Sequence, residues 1–297
     1  MIAVLASGAV GALAFAFSDS FWFSAVEGEV YASSSFYTAI VFWAILKWED
    51  SADEKYADRW IILIAFLMGL SIGVHLLNLL TIPAIGLVYY FRKFEFSWKG
   101  FAISLAVSFV MLALLMWGIM PGVVVISSKF DLFFVNNLHL PPNSGMIFHI
   151  IILAVLLVAG IRFSRNSENN TRNGLLAIGA LFFTGIWIVS GSAFVNILVL
   201  VIVGGVILFY IAKNRVVLST MLTAILVIMI GYSTMAIIVI RASASTPLNE
   251  DNPSNPFTLL YFINREQYGE RPLFRGPYYN APVLDYKDGK PVYALEK

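Results

Sequence analysis

The run Ala193-Phe-Val-Asn-Ile-Leu-Val-Leu-Val-Ile-Val-Gly-Gly-Val-Ile-Leu-Phe-Tyr-Ile211 carries no charge and a single amide over its whole length. A helix on the surface of a soluble protein keeps a polar face, and this segment has none. Its length falls in the range of roughly 17 to 25 apolar residues that cross a bilayer. The rest of the chain is built the same way. Its 297 residues are 59% hydrophobic and 12% charged, where a soluble domain carries about twice that charge. Mean hydropathy is +0.82. Lipid, not one large water-excluded core, is the solvent such a chain requires. A net charge of +1 gives no electrostatic basis for binding nucleic acid. The lack of cysteine excludes disulfides, thiolate nucleophiles and thiolate metal sites.

Working outward from that run, the apolar segments predict an all-α polytopic membrane protein. Its nine spans are 1–17, 31–47, 60–75, 77–91, 101–120, 146–162, 174–190, 193–211 and 217–240. The third and fourth are short and meet at a tight hairpin near His75–Asn78. The first lacks a basic flank and a cleavage site, so it reads as a spanning or re-entrant helix and not as a secretory signal. With the N-terminus cytoplasmic, the inside loops and their flanks hold Lys47, Lys55, Arg59, Arg92, Lys93, Lys99, Arg162, Arg165, Arg172, Lys213 and Arg215. The outside connections before the tail hold only Lys129. This asymmetry follows the positive-inside rule and leaves the C-terminal tail outside. The expected division is a membrane domain over 1–241 and the start of an extracytoplasmic domain over 242–297.

The outer face is then the elaborate one. It carries an aromatic loop over 18–30, the His75 hairpin, a stretch from Pro121 to Gly145, and the tail. Phe130, Phe133, Phe134 and Leu138 recur at helical spacing with Lys129, Asp131, Asn136 and Asn137 between them. That pattern predicts a helix over 130–138 lying on the membrane surface. In the tail, short alternating runs around Asp288-Gly289 predict a β-hairpin over 283–293.

Candidate chemistry sits in few places. Glu27 and Glu29 share a face only if their loop is extended, since in a helix they diverge by about 200°. Glu29 lies where the second span begins, so the plain reading is an acid favoured by the dipole at that helix start; the functional one is that one of the two orients a hydroxyl-bearing substrate or accepts its proton. Trp22, Phe21 and Tyr31 are either interfacial belt residues or sugar-stacking surfaces. His75 and Asn78 are the strongly polar side chains of an apolar hairpin, and such groups at membrane depth mark sites. His139 and His149 lack the spacing of a metal site. Arg265, Arg271 and Arg275 offer charge-assisted bonds to a phosphate or form a solvated surface. No P-loop, Gly-x-Ser-x-Gly or dinucleotide fingerprint is present. No charged pair lies at mid-membrane depth, which argues against a proton-coupled transporter.

The run Gly8-Ala-Val-Gly-Ala-Leu-Ala-Phe-Ala-Phe-Ser-Asp-Ser-Phe-Trp-Phe-Ser-Ala-Val-Glu-Gly-Glu-Val-Tyr-Ala32 resembles the bacterial protein O-mannosyltransferase-like membrane family. So do Gly69-Leu-Ser-Ile-Gly-Val-His-Leu-Leu-Asn78 and Asn136-Asn-Leu-His-Leu-Pro-Pro-Asn-Ser-Gly145. In the tail, Asn264-Arg-Glu-Gln-Tyr-Gly269 and Gly276-Pro-Tyr-Tyr-Asn-Ala-Pro282 resemble Bacteroidetes members of it. The family is similar to the C-type glycosyltransferases. The resemblance therefore implies sugar transfer from a polyprenyl-phosphate donor to a protein acceptor, on the periplasmic face of a bacterial inner membrane. The donor enters as substrate, and no cofactor or metal is implied. Within the resembling patches, Trp22, Tyr31, His75, Asn78, Asn143 and Arg265, together with Arg271, are the substrate-binding candidates, and Glu27 and Glu29 the supporting acids. The family's principal acid lies in an Asp-Cys-Gly-Glu-like motif of the first external loop, which nothing here matches. The chain is thus expected to be an interior piece of a longer enzyme. The rival readings are a non-catalytic envelope scaffold and, third, a transporter.

Overall fold

The computed structural model describes residues 1–28, 30–244, 246–269, 276–278, 281–287 and 290–293. Among them the chain forms α1 (Ile2–Ala16), α2 (Asp19–Val26), α3 (Tyr31–Asp50), α4 (Asp58–Ile72), α5 (Ile82–Lys93), α6 (Trp98–Ala113) and α7 (Met120–Leu138). These are followed by α8 (Ser144–Asn166), α9 (Asn170–Thr184), α10 (Ala193–Phe209), α11 (Arg215–Tyr232), α12 (Ala236–Ser243) and α13 (Pro256–Asn264). Helix is the conformation expected where lipid offers no partner to the backbone, because it satisfies every peptide group within the segment.

Among the described residues, four helical stretches are long and apolar enough to cross a membrane: Trp98–Leu138, Ser144–Asn166, Ala193–Lys213 and Arg215–Ser243. The pair α1 and α2, bent by 61°, makes a fifth if counted as one span. Each of the nine expected segments overlaps a helix, although residues 185–190 of the seventh lie beyond the end of α9, and several of the helices are short. α4, α5 and α9 have 15, 12 and 15 residues, so they reach only about 18 to 23 Å against a hydrocarbon core of about 30 Å. α3 has 20 residues but ends in Lys47, Glu49 and Asp50, which dilute its hydropathy.

The helix does not end at residue 120, where the fifth expected span does. α6 runs through a π-helical turn, Leu114–Ile119, directly into α7, giving one helix of 41 residues. Proline removes one backbone donor and crowds the preceding turn, and a local widening of the helix is the usual way a membrane helix absorbs this. At about 60 Å the stretch is roughly twice the hydrocarbon thickness. The separate surface helix expected over 130–138 is therefore the last part of α7. Its Asp131 is buried, not solvated.

The core gathers where α8 lies against α7, α9 and α11, and where α4 packs on α11 and α3. Val41, Ala44, Leu157, Leu218 and Leu222 are shielded almost completely there. The α4–α11 crossing is close: a Cβ on Gly231 would stand 2.5 Å from the Leu70 nitrogen and 2.7 Å from the Gly69 carbonyl carbon. Small residues at such points let helix backbones approach in lipid. Polar pins cross the same bundle. His149 is fully buried, with Nε2 2.8 Å from the Phe183 carbonyl oxygen and Nδ1 2.8 Å from Ser127 Oγ. A carbonyl only accepts, so Nε2 donates to it, and the Ser127 hydroxyl donates to Nδ1. Asp131 accepts from the Gly145 N–H at 3.1 Å, and the Tyr232 hydroxyl donates to the Met120 carbonyl at 3.0 Å.

One end of the bundle is tied by charge. Arg92 Nε donates to the Glu49 carbonyl at 3.1 Å, and Lys93 Nζ to the Ala52 carbonyl at 2.8 Å. Both cations pair with Asp53. The C-terminal cations of α5 thus satisfy carbonyls at the end of α3, where positive charge is favoured. The hydrogen bond from Lys93, and then that from Arg92, holds the Asp53 carboxyl below the usual carboxylate range.

In the tail, Asn255 caps α13 by accepting from the Phe257 and Thr258 N–H groups, and α13 packs on α7. β1 (Val283–Lys287) and β2 (Lys290–Tyr293) pair antiparallel, as the alternation predicts. The Asp288-Gly289 turn lies outside the described residues.

Candidate functional site

The groove that carries the candidate site forms where the chain turns between its first three helices. Ser18 Oγ donates back to the Phe15 carbonyl at 2.8 Å as α1 ends, and α2 leaves at 61° to α1. Phe15 packs on Phe21 with ring centroids 4.5 Å apart, and Phe17 stacks on Trp22 at 5.5 Å. Gly28, at φ +78°, supplies the left-handed step that lets the chain turn from α2 toward α3. The result is a groove of about 290 Å³ with Phe15, Phe21 and Tyr31 on its walls and the hydroxyls of Ser18, Ser20, Ser24 and Ser35 around them. Aromatic faces edged by hydroxyls suit a ligand with apolar faces and many hydroxyls. Trp22 is half exposed beside this groove and does not line it.

Tyr31 leads from the groove to the hairpin. Its ring centroid is 5.7 Å from that of His75. His75 ends the α4 turn in extended geometry, and its Nδ1 accepts from the Leu77 N–H at 3.2 Å, capping the 3-10 turn Leu76–Thr81. That bond occupies Nδ1, and Nε2 has no hydrogen-bond partner among the described residues. Asn78 is fully buried; its Nδ2 donates to Ser71 Oγ at 3.1 Å, and its carbonyl accepts from Thr81 Oγ1 at 2.7 Å. Its Oδ1 has no partner among the described residues. Asn78 therefore locks the hairpin, while His75 and Tyr31 stand at its surface.

Glu27 is exposed at the C-terminal cap of α2. A helix C-terminus disfavours a carboxylate, so dipole stabilisation does not account for Glu27. Glu29 lies outside the described residues, as do Arg271 and Arg275. Asn143 sits elsewhere, at the N-terminal cap of α8 with φ +71°. Its Nδ2 donates to the Ser254 carbonyl at 3.4 Å, joining the Pro-Pro segment to the 249–256 turn. Arg265 is exposed at the end of α13, its guanidinium 5.8 Å from the Tyr268 ring centroid. The structure thus brings Tyr31 and His75 together near the groove and Asn78 into their hairpin, and it joins Asn143 to the start of the tail. The groove serines were not singled out from the sequence, although Ser20 and Ser24, and Tyr31 and Ser35, stand four apart and so share a helix face. Among the described residues no three His, Asp or Glu side chains converge as metal ligands.

Residues 1–98 match the family model described as the Protein O-mannosyl-transferase TMEM260 N-terminal domain. That part of the chain is similar to an O-mannosyltransferase domain, and it includes the whole groove together with Glu27, His75 and Asn78. Asn143 and Arg265 lie beyond it. No curated protein and no solved structure matches the chain.

Proposed function

We propose that the chain forms the membrane part of a glycosyltransferase that moves a sugar, mannose by the family match, from a polyprenyl-phosphate donor to a protein acceptor at the outer membrane surface. The observation that carries this reading is the coincidence of the matched residues 1–98 with the hydroxyl-edged aromatic groove. The acceptor hydroxyl oxygen attacks the anomeric carbon, the bond from that carbon to the phosphate oxygen breaks, and polyprenyl phosphate leaves. A carboxylate takes the acceptor proton. The acids of the segment that forms the groove are Asp19, Glu27 and Glu29, and we assign Glu27 and Glu29 a supporting role in that step. Tyr31 lines the sugar site, Trp22 and His75 bind the sugar from beside it, and Asn78 holds the hairpin that positions His75. Asn143, Arg265 and Arg271 serve the phosphate or the acceptor.

The topology belongs to the same proposal: nine spans with the N-terminus inside a bacterial cytoplasmic membrane, and groove and tail facing the periplasm. Its support is the distribution of basic residues, together with the ion pairs that join 49–53 to Arg92 and Lys93. A scaffold without catalysis is the second reading, favoured by the lack of an Asp-Cys-Gly-Glu-like run in the chain.

Membranes containing the full-length protein, supplied with labelled polyprenyl-phosphate mannose and an acceptor peptide, test the proposal. Glu27→Gln or Glu29→Gln should lower turnover, by about 10²-fold for the residue that acts as the base. Unchanged turnover in both variants removes the two acids from the mechanism, and no transfer by the wild type favours the scaffold.

A further inference from the structure

At the end of α4 opposite His75, a cleft of about 590 Å³ opens between α4, α8 and α11. Lys55, Arg59, Arg165 and Arg215 line it, against the single carboxylate of Asp58. Arg165 is the best-anchored cation. Its Nε donates at 2.7 Å to the hydroxyl of Ser219, itself nearly buried, and it joins no ion pair among the described residues. Lys55 rests 5.4 Å from the Tyr56 ring centroid and is likewise in no ion pair among them. The acids that approach the other two are loosely held. Glu168 reaches Arg215 at 3.5 Å with its side chain 91% exposed, and Glu54 reaches Arg59 at 4.0 Å. Such exposed pairs contribute little and yield readily to a better ligand. Asp58 accepts from Thr220 Oγ1 at 3.2 Å.

A preference for basic residues on one side of a membrane explains cations in three separate connections, but not their convergence on one cavity with serine and threonine hydroxyls between them. α8 and α11 are both of membrane-crossing length. The cleft uses the end of one and the start of the other, and so opens at a membrane border, where headgroups lie. Ile62 and Val216 give it an apolar wall.

We propose that this cleft is a phosphate-binding site, and that the phosphate is the headgroup of an anionic phospholipid. Arginine and lysine donors with neighbouring hydroxyls satisfy the several oxygens of a phosphate, and basic pockets between membrane helices are suited to such headgroups. The site lies at the other end of α4 from the groove, and its occupancy does not depend on sugar transfer.

The test is lipid binding by the full protein in phosphatidylcholine nanodiscs, titrated with phosphatidylglycerol and, in a second arm, with inorganic phosphate as competitor. Phosphatidylglycerol should bind in preference to phosphatidylcholine. Arg165→Gln and Lys55→Gln should each weaken it about five-fold, as expected for one cation near a membrane surface. Arg165→Lys should retain most of the binding, and Lys99→Gln, outside the cleft, should leave it unchanged. Lys55 lies on an exposed turn, so its variant keeps the fold and remains informative if the Arg165 variants do not. Displacement of the lipid by inorganic phosphate, with the same variants affected, keeps the phosphate site and assigns it to a soluble phosphate; no displacement assigns it to the lipid. No preference for phosphatidylglycerol and no binding of inorganic phosphate, or wild-type binding by Lys55→Gln together with Arg165→Gln, overturns the proposal.

Discussion

Asp53 illustrates how far a single side chain can be read. It lies in the connection between α3 and α4, outside the apolar segments, and answers to Lys93 and Arg92 from the far end of α5. A carboxyl with a lower pKa folded than unfolded stabilises the fold above its unfolded value and loses that contribution as pH falls through the folded one. The thermal midpoint of the wild type should therefore exceed that of Asp53→Asn at pH 7 by a small amount. The gap should close as the pH drops below about 3.9. A gap that persists unchanged in acid would assign the effect to something other than the charge. At the same scale, Glu27 was legible as a candidate because acids are rare in so apolar a chain. That it caps the unfavourable end of α2, and not the favourable start of α3, depended on where the chain turns at Gly28.

Among elements, the crossing of α4 and α11 carries the clearest consequence. The backbones meet at Gly69 and Gly231 with no room for a side chain. Gly231→Leu should lower stability by about 1 to 3 kcal/mol through overpacking, read as a fall in thermal midpoint in detergent. Gly205→Ala on α10, where an added Cβ meets nothing within 4 Å, should cause no loss. Equal losses in both variants would show that close approach is not what holds the pair. Nothing in the run around Gly69 names α11 as its partner. Pro121 marks the opposite case. As a local signal it reads as a helix end, yet the π turn before it carries the helix on to Leu138. A proline's lost hydrogen bond can be absorbed by neighbours that the local sequence does not specify.

For the whole molecule, the proposed nine-span arrangement has a direct check, because the chain holds no cysteine. In the otherwise cysteine-free protein, Ser20→Cys and Asn143→Cys should react with an impermeant thiol reagent from the periplasmic side, and Lys99→Cys and Glu168→Cys only after the membrane is opened. Labelling of Ser20→Cys and Lys99→Cys from the same side would sink that topology. The sequence alone determined the helical membrane class and the rough position of the long apolar helices, though not of α2 or α13, because hydropathy is summed over consecutive residues and lipid leaves the backbone few alternatives. It also marked the region of the groove, since the aromatic and acidic residues of 18–31 are contiguous. Tertiary structure alone decided that α6 and α7 are one helix, that serines from α2 and α3 edge one groove, and that Lys55, Arg165 and Arg215 share a cleft. The cleft rests on the approach of residues far apart in the chain, such as Lys55 and Arg215, and such contacts are set by how helices pack, which no local run of sequence contains.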